Sequence, residues 1–359
     1  MLKTQTGNPA LIKVIRDEIK NRGPVTFAWF MEQALYHPEH GYYSSGRCAI
    51  GRKGDYFTNI SVGPLFGQLM TAQFAEIWRR LGKIDNFVIV EQGAHDGQFA
   101  RDVLQCAQLR EPHFFEALDY RIVEPFPVLR ARQLKMLEPF QNKVEWRNAL
   151  EPFTGIHFSN ELLDAMPVRL VSHGMEKLVG IESDRFVFVE HPLSNAVSNQ
   201  AALDWIDNLA VNLKRGYAIV IDYGHSGDEF QREIQVRVQH RYLDSPFEQI
   251  GHADITLHVN WTRIVRRAVA DGLRIGGFAD QHHFFTGIIS TWPDLLQAPL
   301  KNADTDRKTK RAVQTLLHPE MLGRAFQVLM LAKDVDPRPL AGFRFAREPH
   351  SMLGLGNPN

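Results

Sequence analysis

The segment Glu91-Gln92-Gly93-Ala94-His95-Asp96-Gly97 follows an apolar run and precedes Phe99, Val103 and Leu104 at helical spacing, so it reads as a turn from a strand into a helix. Glycines in such a turn let backbone approach a ligand, and the free N–H groups at a helix start attract a carboxylate or phosphate. With glycine only at 93 and 97, the pattern falls short of Gly-x-Gly-x-x-Gly, which weighs against a site gripping a pyrophosphate. A tight turn that binds nothing is the plainer alternative. Glu124 ends the next apolar run, from Tyr120 to Val123, where an acid can accept both hydroxyls of a ribose. A solvated charge at a strand end would look the same. Further on, Glu161 and Asp164 stand three apart in Asn160-Glu161-Leu162-Leu163-Asp164-Ala165-Met166-Pro167-Val168. If the chain turns helical there they share a face, and two carboxylates together can hold a guanidinium through paired hydrogen bonds. Acids stabilising a helix N-terminus are the alternative.

Other motifs are excluded by their spacing. Asp222-Tyr223-Gly224-His225-Ser226-Gly227 lies one residue short of the Gly-x-Ser-x-Gly nucleophile elbow, so a serine hydrolase is rejected. Tyr223 and His225 then line a pocket or cap a strand. The His37-Pro38-Glu39-His40 and His282-His283 clusters lack metal-ligand context, and no metal is expected.

These residues need a scaffold. Asn8-Pro9 opens a helix through Leu11, Ile15 and Ile19 that stops at Gly23-Pro24, and a second helix follows near Phe27 to Leu35. His37 to Thr58 reads as a long ordered loop, of the kind that serves as a lid. Pro64 opens an amphipathic helix, after which apolar strands near Phe87–Val90, Tyr120–Val123, Val144–Trp146, Ile156–Ser159 and Tyr217–Ile221 alternate with helices. That alternation predicts an α/β, doubly wound, mostly parallel sheet. A β-hairpin is expected over about 168–191, and strands near Leu273–Phe278 and Phe326–Leu331 close the sheet around a helical insertion at about 281–322. The expected organisation is an N-terminal helical extension with a lid loop over 1–84, a sheet domain over 85–335 and an irregular surface tail over 336–359.

Composition bounds the partners. Lys plus Arg and Asp plus Glu both number 41, so no net field draws nucleic acid or an anionic membrane. Cys48 and Cys106 form no Cys-x-x-Cys pair, which fits a reducing compartment. No apolar signal core or span of membrane length appears, and a soluble, cytoplasmic protein is expected.

Several stretches resemble the MidA-like methyltransferases, a family that includes a mitochondrial assembly factor that methylates an arginine on a subunit of respiratory complex I. They are Gly23-Pro24-Val25-Thr26-Phe27, Tyr36-His37-Pro38-Glu39-His40-Gly41-Tyr42-Tyr43, Gly54-Asp55-Tyr56-Phe57-Thr58, Leu65-Phe66-Gly67, Asn160 to Val168, Ile221-Asp222-Tyr223-Gly224 and Ala253-Asp254-Ile255-Thr256-Leu257-His258-Val259. The resemblance implies a seven-stranded class I methyltransferase sheet, S-adenosyl-L-methionine on Gly93 and Gly97 with its ribose on Glu124, and substrate near Asp55, Thr58 and Glu161. The full expected site comprises Glu161, Asp55 and Asp164 as catalytic groups, and Glu91, Gly93, His95, Gly97, Glu124, Asn148, Ala149 and Asn160 around the cofactor. Thr58, Tyr223 and His258 are expected on the substrate. Two departures stand out: His95 replaces a glycine usual in the family's turn, and Asn59-Ile60-Ser61 replaces Ser-Pro-Glu. The expected activity is methylation of a protein nitrogen, arginine above all; the sequence leaves the oligomeric state open and allows a homodimer. A catalytically silent scaffold of the same fold is the competing reading. An NAD-dependent oxidoreductase shares the acid after the second strand but lacks the glycine pattern.

Overall fold

The computed structural model describes residues 6–48, 58–193, 198–227, 234–296 and 303–356. The chain divides into two compact units, one of 1–58, 163–205 and 228–259 and the other of 59–162, 206–227 and 260–359. Each is discontinuous in sequence, and the first 84 residues contribute to both.

The second unit holds the main sheet. Its main strands are β1 (Phe87–Gln92), β2 (Leu118–Val123), β3 (Val144–Arg147), β4 (Phe153–Asn160), β5 (Leu213–His225), β6 (Arg274–Asp280) and β7 (Phe326–Lys333), and the two-residue strand Val259–Asn260 pairs with β5 as an eighth, one more than expected. They run in the order β6-β7-β5-β4-β1-β2-β3. The β1, β2, β3, β4 and β5 pairings are parallel, whereas β7 is antiparallel to both β5 and β6. Central strands of this kind are covered on both faces and read as continuous apolar runs, as Phe87 to Val90 do, all buried. Three helices matter to the site: α1 (Leu65–Arg80), α2 (Gln98–Arg110) and α3 (Pro127–Met136). The aromatic residues of α1, α2 and β4 interlock beneath them. Phe99 stacks on Phe158 with ring centroids 4.4 Å apart, and Phe74 meets Phe158 edge-on at 5.6 Å. This rigid floor fixes where β1 and β4 end.

The first unit begins with the helix Pro9–Arg22, capped by Asn8, whose side chain accepts from the N–H of Ala10 at 3.0 Å and of Leu11 at 3.3 Å. Thr26 caps Phe27–Tyr36 in the same way. The segment expected as a hairpin is instead a meander of three strands, Leu170–Ser172, Met175–Glu182 and Arg185–Pro192, which Val25–Thr26 extends to four. The reason is a second tight turn. His173-Gly174 and Ser183-Asp184 all have positive φ, as two-residue hairpin turns of type I′ require, but neither pair has the Asn-Gly form that announces one.

Two further expectations change. The segment after β4 does not turn helical, so Glu161 and Asp164 share no helix face. The leucines and Pro167 leave the chain in bends and turns, and the Glu161 N–H is drawn to the Ile221 carbonyl of β5 at 2.9 Å. The tail from Asp336 is not confined to the surface either: Leu340, Phe343 and Leu353 are buried. Phe343 packs edge-on against Phe284, and Gln73 accepts the Gly342 N–H at 2.9 Å, so apolar anchors between the prolines and glycines tie it down.

Candidate functional site

The turn after β1 is built from alternating left-handed residues. Gly93, His95 and Gly97 have φ of 81°, 47° and 86°, and Gly97 donates to the Ala94 carbonyl at 2.8 Å as α2 begins. Such a winding aims backbone N–H groups into a concavity facing the helix start. His95 thus occupies the conformation that glycine provides freely, at a cost of about 1 kcal/mol. Its departure from the family's glycine leaves the left-handed geometry intact.

Glu91 faces another way. It is 2% exposed, and its Oε2 accepts the Tyr120 hydroxyl at 2.7 Å. Burial pushes its carboxyl up to about 8, the Tyr120 bond opposing only in part. The sign follows directly. Because the folded carboxyl holds its proton more tightly than the unfolded one, this stabilisation is complete below about pH 4.5 and is lost as pH rises through about 8. Glu91→Gln keeps an acceptor for Tyr120 and carries no charge. It is expected to raise the thermal midpoint at pH 9 and to flatten its pH dependence between 5 and 9 in calorimetric melts; unchanged curves would refute a buried carboxyl at this position.

Glu124 follows β2 and is 4% exposed. Its Oε1 accepts the Phe126 N–H at 3.0 Å, and its Oε2 accepts from Gln133 Nε2 at 3.0 Å. Burial pushes its carboxyl above the usual range. Gln133, fully buried on α3, also donates from Nε2 to the His95 carbonyl at 2.9 Å, and its Oε1 accepts the Trp146 indole N–H of β3 at 2.9 Å. One amide thus ties the turn after β1, the strand-two acid and β3 together with all its groups used. Arg130 on the same helix donates to the Glu124 carbonyl at 2.8 Å and to Asn148 Oδ1 at 2.7 Å. Asn148 and Ala149 are exposed beyond β3.

At the end of β4, Glu161 has φ of 55°, and Asn160 Nδ2 donates to its Oε1 at 2.7 Å. Asp222 at the end of β5 is fully buried and holds this exit in shape, accepting the Leu162 N–H at 3.2 Å and the Tyr223 N–H at 2.8 Å. Tyr223 lies against Phe326 with ring centroids 4.0 Å apart. The β4 exit adjoins the β1 turn: a β-carbon on Gly93 would lie 3.5 Å from Leu162 Cδ1 and 4.0 Å from the Asn160 carbonyl oxygen.

Gly93, His95, Gly97, Glu124, Asn148, Ala149, Asn160, Glu161 and Tyr223 therefore all sit on the second unit, at or after the carboxyl ends of its strands. Thr58, Asp164 and His258 belong to the first unit; Thr58 and Asp164 are buried there, and His258 approaches Gln235 at 3.4 Å. Asp55 lies outside the described residues. Gln133 stands in no motif, and the motifs that contain Asp222 and Asn59 do not announce the hydrogen bonds those side chains make. Gln133 had one signal, since it continues the buried stripe of Leu129 and Leu137 and puts an amide where a leucine is the norm.

The residues suit S-adenosyl-L-methionine. Each Glu124 oxygen accepts one hydrogen bond and keeps a lone pair for a ribose hydroxyl. The turn at Gly93 offers N–H groups to a single carboxylate, without the third glycine that a pyrophosphate needs.

Comparison with known proteins agrees. Residues 69–279 match the family described as S-adenosyl-L-methionine-dependent methyltransferases. A Burkholderia thailandensis protein solved with S-adenosyl-homocysteine bound is 29% identical, with a TM-score of 0.86 over 97% of this chain and 100% of its own. Among curated relatives, the mitochondrial protein arginine methyltransferase NDUFAF7 homolog of Drosophila melanogaster is 25% identical over 95% of this chain and 90% of its own length. The Bos taurus protein arginine methyltransferase NDUFAF7 is 25% identical over 91% and 88%. These relatives are mitochondrial, which overturns the cytoplasmic location expected from composition. Sheet order, turn, strand-two acid and family match coincide: the chain belongs to the MidA-like family of S-adenosyl-L-methionine-dependent methyltransferases.

Proposed function

We propose that this methyltransferase acts on an arginine side chain of a protein, with Glu161 as the group that receives the acceptor. The observation that carries the reading is Glu161 itself, a carboxylate held in a left-handed conformation at the β4 exit beside the Gly93 turn. The relatives named as protein arginine methyltransferases support it. A non-glycine residue in that conformation costs about 1 kcal/mol, and the Asp222 and Ile221 contacts that impose it are the kind of strain that functional sites retain.

S-adenosyl-L-methionine, when bound, would supply an electrophilic methyl group on a sulfonium with a neutral thioether as the leaving group. The protein supplies position. Glu161 accepts guanidinium N–H bonds and so presents one nitrogen in line, while its charge opposes the escape of the cationic acceptor. Glu161 would stay paired with the guanidinium throughout the transfer, while the methylated nitrogen loses its proton to water. Glu124 and the Gly93 turn hold the nucleoside and amino-acid ends against solvent.

The test is labelled transfer. Protein incubated with methyl-labelled cofactor and a relative's extract is expected to yield label that acid hydrolysis releases as methylarginine. Label recovered on another residue would move the activity to a different acceptor, and none at all would favour the silent scaffold.

A further inference from the structure

We propose that Asn59 is a ligand-binding residue whose side-chain oxygen receives the α-ammonium group of the cofactor's amino-acid end. This rests on the cofactor lying along the Gly93 turn.

Asn59 is fully buried at the start of the short helical turn Ile60–Val62. An asparagine there ordinarily caps the turn with its side chain, but this one makes no capping bond. Its Nδ2 donates instead to Asn160 Oδ1 at 2.9 Å, and Asn160 Nδ2 donates onward to Glu161 Oε1 at 2.7 Å. That chain fixes the orientation of both amides. A carboxylate oxygen accepts, so Asn160 must turn its nitrogen to Glu161 and its oxygen to Asn59; Asn59 must then turn its nitrogen to Asn160. Asn59 Oδ1 takes no part in that chain of bonds, is buried, and has no hydrogen-bond partner among the described residues. Buried amide oxygens are rarely left so, because the lost hydration costs more than most single contacts return. The oxygen is set to accept a donor that arrives with a ligand.

Strand order identifies the donor. β1 lies between β2 and β4, and neighbouring strands are about 4.8 Å apart. Glu124, after β2, takes the ribose on one side of the β1 turn. The amino-acid end therefore lies toward β4, where the Asn160 carbonyl oxygen is 4.0 Å from the position a Gly93 β-carbon would take. At that end the ligand carries a carboxylate, which suits the N–H groups of the turn, and an ammonium, which requires acceptors. Asn59 Oδ1 is such an acceptor. Through Asn160 it also reaches Glu161, so the side chain that reads the ammonium shares its hydrogen bonds with the side chain that receives the methyl acceptor.

Titration calorimetry on the full chain tests this with three probes: S-adenosyl-homocysteine, its deamino analogue, and methylthioadenosine, which lacks the amino-acid end. Wild type is expected to bind S-adenosyl-homocysteine at least tenfold more tightly than the deamino analogue. In Asn59→Leu that preference should fall to within about twofold, with methylthioadenosine affinity unchanged; this control also shows that the nucleoside site has folded. Asn59→Ser, a smaller change, should lose the same preference and serves if the leucine variant does not fold. Equal weakening of all three probes would mean a merely structural role and overturns the proposal. Unaltered preference in both variants overturns it too, while leaving the cofactor site standing. Failure of wild type to bind S-adenosyl-homocysteine overturns the cofactor placement and the proposal together.

Discussion

Glu124→Ala is expected to weaken S-adenosyl-homocysteine binding by roughly 10- to 100-fold in calorimetry, since hydrogen bonds to a charged group contribute about 1.5–3 kcal/mol. Each carboxylate oxygen already holds one hydrogen bond. One oxygen is oriented by the Phe126 N–H and the other by Gln133, so neither swings when ligand arrives. The same geometry predicts coupling. Gln133→Leu removes the bond that aims Glu124 and also frees the His95 carbonyl and the Trp146 indole. The double variant should therefore lose less affinity than the two single losses combined. Full additivity, or wild-type affinity in Glu124→Ala, would remove Glu124 from the ribose site.

Glu161→Gln is expected to lower the methylation rate by about 10²-fold or more at saturating cofactor, by analogy with removal of other charge-stabilising groups in active sites. Glutamine preserves size and an acceptor for Asn160 Nδ2, so the β4 exit keeps its shape and S-adenosyl-homocysteine affinity should stay within about threefold. Only the charge facing the acceptor is lost. Single-turnover transfer and calorimetry on the same preparation separate the two effects. A variant that binds and methylates at the wild-type rate would assign the acceptor to another group, and one that loses cofactor affinity would make Glu161 part of the cofactor site.

Much of the main sheet was legible because its central strands are buried on both faces and read as continuous apolar runs. Phe87 to Val90 could only be a core strand, and the amphipathic pattern from Leu65 to Leu81 matches α1 closely. The meander at 170–192 was legible only in part, because its turns rely on His173 and Ser183-Asp184 in left-handed conformations that their residue types do not announce. The tail was misjudged for a similar reason. Leu340, Phe343 and Leu353 are isolated between prolines, glycines and charges, and only their burial in the folded chain reveals them as anchors.

The turn from Glu91 to Gly97, the acid at 124 and the segment from Asn160 to Val168 could be read from residue types and order alone, because strand, turn and helix are local and a parallel sheet puts every strand end at one edge. What each side chain does there could not. Glu91 belongs to the turn by sequence, yet its carboxyl lies against Tyr120 in the core, since residues along a strand alternate faces. Glu161 and Asp164 are neighbours by number, but a chain that bends instead of coiling assigns them to different units. Gln133 carries no motif, and the motifs around Asp222 and Asn59 say nothing of what those side chains bond. Their roles arise from hydrogen bonds between residues 38, 60 and 101 positions apart, which exist only once the sheet has brought distant strand ends together.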